Sequence, residues 1–217
     1  MHTLYIYDHC PYCVKARMIF GLKNVPVQLK VLLNDDEATP HSMISKKMVP
    51  ILAKEDGTFL PESMDIIRTI DALDGKPIVT SSPGNSKLDP WYAKSRQMVY
   101  QLCMPRWVQA PLEEFATQEA RAYFIAKKEA MIGSFQQHLA NSPELIRLAD
   151  ELLKELDVLI DSLEFVHGEL SEDDIHLFAV LRSLSIVKGI TYPQNVEKYR
   201  QHLSQISGVP LLDGLAI

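Results

Sequence analysis

The sequence predicts a small α/β domain followed by an all-helical one. Across the first 75 residues, short strand-like runs and helix-patterned stretches follow the order β-α-β, connection, β-β-α. Beyond residue 88 no strand-like alternation recurs. Between the two, Thr80-Ser81-Ser82-Pro83-Gly84-Asn85-Ser86 is rich in turn-forming and polar residues. The expected division is therefore residues 1–75, a linker over 76–87, and a helical domain over 88–217.

The apolar run Leu4-Tyr5-Ile6-Tyr7 reads as a short buried strand, and Ala16, Ile19 and Phe20 within 14–22 have the spacing of one helix face. Asn24 and Pro26 end that helix. Val27-Gln28-Leu29-Lys30-Val31-Leu32 alternates with period two, a second strand. Asn34-Asp35-Asp36 turns the chain, and a short helical piece is expected over 39–45. Val49-Pro50-Ile51-Leu52 and Thr58-Phe59-Leu60 flank Asp56-Gly57 as a hairpin. Pro50 lacks an N–H to donate to a ladder, so it belongs at an edge or at a strand's first residue. Ile66, Ile67, Ile70 and Leu73 then follow helical spacing, opened by Pro61-Glu62-Ser63 and stopped by Gly75-Lys76-Pro77. A helix start beside a hydroxyl is a ready anion site, and equally a plain N-cap.

In the second half, helices are expected at about 89–104, 118–139, 143–163, 172–188 and 193–205. Ser171 with Asp174 forms a shortened capping box, and Leu170 can staple to Ile175. Cys103, Trp91 and Trp107 lie in apolar surroundings and read as packing residues.

The chemistry lies in Asp8-His9-Cys10-Pro11-Tyr12-Cys13, at the first strand-to-helix junction. Pro11 suits the first helical position, where a missing N–H is harmless and φ is already helical. That puts Cys10 at or next to the N-cap, where free N–H groups and the helix dipole favour thiolate, the nucleophilic form. Cys13 falls about one turn on, within disulfide reach of Cys10 and turned inward. Cys10 is thus expected to attack and Cys13 to resolve. His9 reads first as a polar neighbour; Lys15 and Arg17 either help hold the thiolate or are merely solvated. The alternatives for the pair are a zinc half-site or two inert core cysteines. A four-ligand zinc site needs two more ligands; only Cys103 remains, and the His show no second pair near a Cys. A C-x-x-C beside a βαβ pattern favours thioredoxin-like redox chemistry.

The whole chain sets bounds. Its 217 residues are 47% hydrophobic, ample for a packed core. The net charge is −6, with 8 basic against 10 acidic residues in 1–75 and 14 against 18 in the rest, so no half is basic enough to suggest nucleic acid. The start has no basic n-region and no run approaches the roughly 18 apolar residues of a membrane span. A cytoplasmic protein without a membrane partner is expected, and an exchangeable cysteine pair agrees with a reducing compartment.

Taken together, Cys10-Pro11-Tyr12-Cys13 resembles the glutaredoxin active site, Val49-Pro50 its cis-proline loop, and Glu62-Ser63 the glutathione-binding pair of glutathione transferases. The combination is similar to the glutaredoxin 2 family, large bacterial glutaredoxins with a transferase-like two-domain plan, and covers essentially the whole chain. The resemblance implies a thioredoxin-like first domain and a glutathione-dependent thiol–disulfide oxidoreductase that reduces protein disulfides and glutathione mixed disulfides. It implies glutathione as reducing co-substrate and no metal, disulfide-bonded or glutathionylated proteins as partners, and a monomer. Residue by residue, Cys10 would be the nucleophile and Cys13 the resolving thiol. Pro11 and Tyr12 would border glutathione, Val49 before Pro50 would pair with its cysteinyl backbone, and Glu62 with Ser63 would hold its γ-glutamyl end. Met48 stands where small glutaredoxins have threonine, and Pro61-Glu62-Ser63 replaces their glycine pair. Lys46 and Lys47 are candidates for the glycyl carboxylate by sequence proximity alone. Two other readings remain. One is a glutathione transferase conjugating small electrophiles, which would have no use for a resolving thiol. The other is a non-catalytic redox-sensing or zinc-holding module.

Overall fold

The computed structural model describes residues 1–83 and 86–217; residues 84 and 85, inside the expected linker, lie outside the described residues. The first half is β1 (His2–Ile6), α1 (Pro11–Leu22), β2 (Val27–Val31), α2 (Ala38–Ile44), β3 (Ile51–Ala53), β4 (Phe59–Pro61) and α3 (Ser63–Asp71). The second is α4 (Asp89–Trp107), α5 (Gln118–Ile132), α6 (Phe135–Ala140), α7 (Ser142–Asp157), α8 (Glu172–Leu184) and α9 (Gln194–Ser207), with 3-10 turns at Glu113–Phe115 and Asp213–Leu215.

The four strands form one sheet in the order β2-β1-β3-β4, with β1 and β2 parallel and the other pairs antiparallel. This is a thioredoxin-like arrangement. Leu4 and Ile6 are buried, as alternation along a strand with one core-facing side requires, whereas Gln28, Leu29 and Lys30 on the edge strand β2 are exposed. The hairpin register runs Ile51↔Pro61, Leu52↔Leu60 and Ala53↔Phe59, so Val49 and Pro50 lie before the ladder.

Helix α1 departs most from a one-faced reading. Ala16, Ile19 and Phe20 are buried as their spacing predicts, but Val14 and Met18 are buried too. The helix packs on α3 on one side and on α8 and α9 on the other, so it has two apolar faces. It comes close to the helical half at Gly21, where an added Cβ would stand 1.8 Å from the Ser207 carbonyl oxygen of α9. Only a glycine permits that contact.

Two boundaries differ in kind from expectation. The single helix expected over 118–139 is two, because Gly133 adopts φ +90 and Ser134 caps α6 by accepting from the Gln137 N–H. The expected linker is not free of structure: Thr80 bridges Ser171, its N–H donating to the Leu170 carbonyl and its carbonyl accepting from the Glu172 N–H. The capping box of α8 forms as read, with Asp174 accepting from the Ser171 N–H at 2.8 Å. Cys103 is fully buried and donates to the Ser183 carbonyl, and Trp91 donates to the Leu152 carbonyl.

Candidate active site

β1 stops at Ile6, the Cys10 N–H closes a turn on the Tyr7 carbonyl at 3.2 Å, and Pro11 begins α1. Cys10 is the N-cap residue, with extended backbone at φ −70, ψ 120. A helix leaves its first N–H groups unpaired, and Cys10 stands at that end of α1, where the N–H groups of Tyr12 and Cys13 favour its charged form without closing a cap hydrogen bond. Cys10 is half-buried; Cys13 is fully buried, and its sulfur accepts from the Tyr7 N–H at 3.4 Å.

The two sulfurs share one negative charge unequally. The Cys13 thiol, the neighbouring His9 and the two backbone N–H groups together outweigh burial, and the Cys10 pKa falls to about 6. Burial, then the hydrogen bond and charge at Cys10, drive Cys13 far upward. At neutral pH the chain therefore presents a thiolate at the helix tip and keeps a neutral thiol behind it.

The two residues before Cys10 are held by the helical half. Asp8 faces Arg182 of α8, whose guanidinium donates to the Asp8 carbonyl at 2.6 Å, to its carboxylate at 3.0 Å and to the Pro210 carbonyl at 2.8 Å. Arg17 pairs with the same carboxylate. Burial opposes the Asp8 charge, but Arg182 and Arg17 hold its pKa below the usual carboxylate range. Arg17 thus serves Asp8. His9 is buried among Tyr7, Trp107, Phe115 and Phe124, and its backbone N–H and Nδ1 both meet Glu114 Oε1. None of Glu114, Arg182 or this cage is legible from local spacing, because the partners lie 105 and 174 residues away.

On the other side of the cysteines the Val49–Pro50 bond is cis and both residues are buried. Glu62 is exposed, sits at the N-cap of α3 with φ +70, and precedes the buried Ser63. A positive φ at a non-glycine residue is uncommon and gathers at binding sites. The Lys47 ammonium is taken up by the Tyr7 hydroxyl and the Asn34 and Asp36 carbonyls, at 2.7 to 2.8 Å, whereas Lys46 is exposed. Tyr12 is 53% exposed at the mouth, its ring under the Lys15 ammonium. Beyond it a cleft of about 830 Å³ opens between α1, α4 and α8. Among the described residues no group of three or more His, Cys, Asp or Glu could hold a metal ion, and no helix is long and apolar enough to cross a membrane.

Comparison with known proteins places this geometry. The family model described as Glutaredoxin 2, C terminal domain, matches residues 87–216, and that of the glutathione S-transferase N-terminal domain matches residues 4–78. Glutaredoxin 2 of Escherichia coli strain K12 is 49% identical over 214 residues, which cover 99% of both chains. The crystal structure of the Salmonella typhimurium glutaredoxin 2 in complex with glutathione superposes with a TM-score of 0.97 at 53% identity, covering 100% of this chain and 99% of that one. Glutathione transferase GSTFuA3 of Phanerochaete chrysosporium shares the fold at a TM-score of 0.70 and 12% identity, covering 96% of this chain and 97% of that one. The architecture is glutathione-transferase-like.

Proposed function

Since the chain belongs to the glutaredoxin 2 family, we infer that it is a glutathione-dependent thiol–disulfide oxidoreductase whose chemistry runs through Cys10 and Cys13. The observation that carries the assignment of roles is the half-buried Cys10 at a helix tip, with Cys13 fully buried one turn behind it.

The Cys10 thiolate attacks one sulfur of a protein disulfide or of a glutathionylated cysteine, the S–S bond breaks, and the substrate leaves as a thiolate. In the dithiol route the resulting Cys10–S–S–substrate bond is attacked by Cys13 as a thiolate. Burial and then the interaction with Cys10 hold the Cys13 pKa up, and forming the mixed disulfide removes the Cys10 charge from that sum. The Cys10–Cys13 disulfide is then reduced by two glutathiones. In the monothiol route Cys10 alone carries a glutathionyl group, and a second glutathione removes it as glutathione disulfide.

The glutathione seat is proposed at Pro11, Tyr12, Val49, Pro50, Glu62 and Ser63. Its support is chemical: Val49 lies outside the strand ladder, so its backbone is free for an extended peptide, and Glu62 and Ser63 stand where α3 leaves N–H groups for a carboxylate. The domain division at 76–87, protein substrates, a monomeric state and a cytoplasmic location belong to the same proposal. The cytoplasmic location is supported by the reducing chemistry of the exchangeable cysteine pair.

The test is turnover of a glutathione mixed disulfide with glutathione and glutathione reductase. Wild type and Cys13→Ser should turn over and Cys10→Ser should not. A fully active Cys10→Ser variant would exclude the assignment.

A further inference from the structure

The cleft beyond Tyr12 has an unbalanced set of charges. Among the described residues, Lys15 of α1 and Arg96 of α4 both line it and neither has a carboxylate partner, unlike Lys94, two residues from Arg96, which pairs with Glu155 at 2.8 Å. His176 of α8 lines the same wall. Of the acids there, Asp173 is filled by Ser82, Ser86 and His167, and Glu172 is paired with Arg68 at 3.2 Å. Asp89 alone is left without a basic partner.

Lys15 gives this imbalance a cost. Burial without a counter-ion brings its pKa down to about 8, and the group that favours its charge is Cys10. Burial and then Lys15 also lower His176. An anion entering the cleft would give Lys15 and Arg96 a counter-charge, next to Pro11 and Tyr12, the two residues that follow the reactive cysteine.

We propose that this cleft seats the second glutathione, the thiol that attacks the glutathionylated Cys10 and regenerates the enzyme. This deepens the oxidoreductase reading and rests on it. Glutathione carries two carboxylates and one ammonium; the cleft offers Lys15 and Arg96 for the first and Asp89 for the second. Its volume of about 830 Å³ lies in the range of small-molecule sites, roughly 300 to 1,000 Å³. Pro11 and Tyr12 of the proposed glutathione seat line this cleft whereas Val49, Glu62 and Ser63 do not, so the glutathionyl group on Cys10 and the incoming thiol would meet across Pro11 and Tyr12. The Tyr12 hydroxyl is pushed up by burial and feels both Arg96 on the cleft side and Glu62 on the other.

In the step itself the glutathione thiolate, its proton already lost to solvent, attacks the glutathionyl sulfur. The bond to Cys10 breaks, Cys10 leaves as thiolate, and glutathione disulfide departs. The attacking glutathione is oxidised and the mixed disulfide reduced.

The test uses the full chain as Cys13→Ser, loaded with one glutathionyl group on Cys10. Unloading is followed in single turnovers with glutathione, with its dialkyl ester, whose carboxylates are neutral, and with 2-mercaptoethanol, each corrected for thiolate fraction. The parent should unload faster with glutathione than with the ester by about tenfold or more, as loss of charge-assisted hydrogen bonds implies. Lys15→Gln with Arg96→Gln should abolish that preference. The 2-mercaptoethanol rate corrects for any change in the Cys10 leaving group. A preference that survives in the double variant, or is absent from the parent, overturns the proposal. So does slower loading from a glutathionylated protein with the unloading preference intact, which would put an acidic protein segment in the cleft. Failure of the parent to load Cys10 at all is a separate result, and removes the oxidoreductase reading beneath it.

Discussion

Oε1 of Glu114 accepts from the His9 backbone N–H at 2.9 Å and meets the His9 ring Nδ1 at 2.6 Å. A carboxylate only accepts, so the hydrogen-bond network assigns the proton to Nδ1. Glu114 is fully buried, its second oxygen has no hydrogen-bond partner, and its backbone carbonyl accepts from the Asn34 N–H. A carboxylate from the helical half is thus sealed against the residue before the nucleophile.

Glu114 is in this view a positioning residue, acting on Cys10 through the His9 ring that it holds in place. Glu114→Gln keeps the shape and removes the charge. The expected result is a midpoint for iodoacetamide alkylation of Cys10 that moves to higher pH, together with about 1 to 3 kcal/mol lost in urea unfolding. Loss of stability with an unmoved midpoint would make the pair purely structural. Cys13 and Lys15, the other ionisable groups beside the sulfur, are unchanged in this variant.

In the wild type the alkylation rate should follow the Cys10 thiolate. The folded pKa lies below that of an ordinary thiol, so the rate should be flat above about 6 and fall about tenfold per pH unit below it. The buried Cys13 and Cys103, both with raised pKa values, should stay unmodified. A midpoint near 8.5 would mean that neither the helix tip nor the Cys13 hydrogen bond acts on the sulfur.

The α8 capping box gives a graded pair. Ser171→Ala removes one hydroxyl and should cost about 1 kcal/mol. Asp174 accepts from the Ser171 N–H and hydroxyl, from the Val166 N–H and from the Tyr199 hydroxyl. Asp174→Ala leaves these buried donors unpaired and should cost several times more, about 3 kcal/mol or above. Equal losses for the two variants in urea unfolding would contradict this ordering.

Gly21→Ala places a methyl group against the backbone of Ser207, which cannot rotate away. The expected loss is about 1 to 3 kcal/mol, read as a lower thermal midpoint. An unchanged midpoint would show that α1 and α9 separate freely at that point.

Much of the molecule could be read from its amino acids in order. The two cysteines, Pro11 between them and the period-two and helical runs around them are local patterns, and short-range chemistry fixes what they do: Pro11 starts a helix, and a helix start draws out a thiolate. The capping box at Ser171 and Asp174 is of the same kind. The break at Gly133 was hidden because a glycine inside an apolar-periodic run does not announce its φ.

What the tertiary structure alone decided is everything that depends on elements far apart in the chain. It buried α1 on two faces, gave Arg17 to Asp8, and brought Arg182 and Glu114 onto the two residues before Cys10. It also brought Lys15 and Arg96, neither paired with a carboxylate among the described residues, to one cleft that no single segment contains. Periodicity records which side of an element is apolar, but not which distant element covers it, because that choice is made by packing and by charges that meet only in the folded chain.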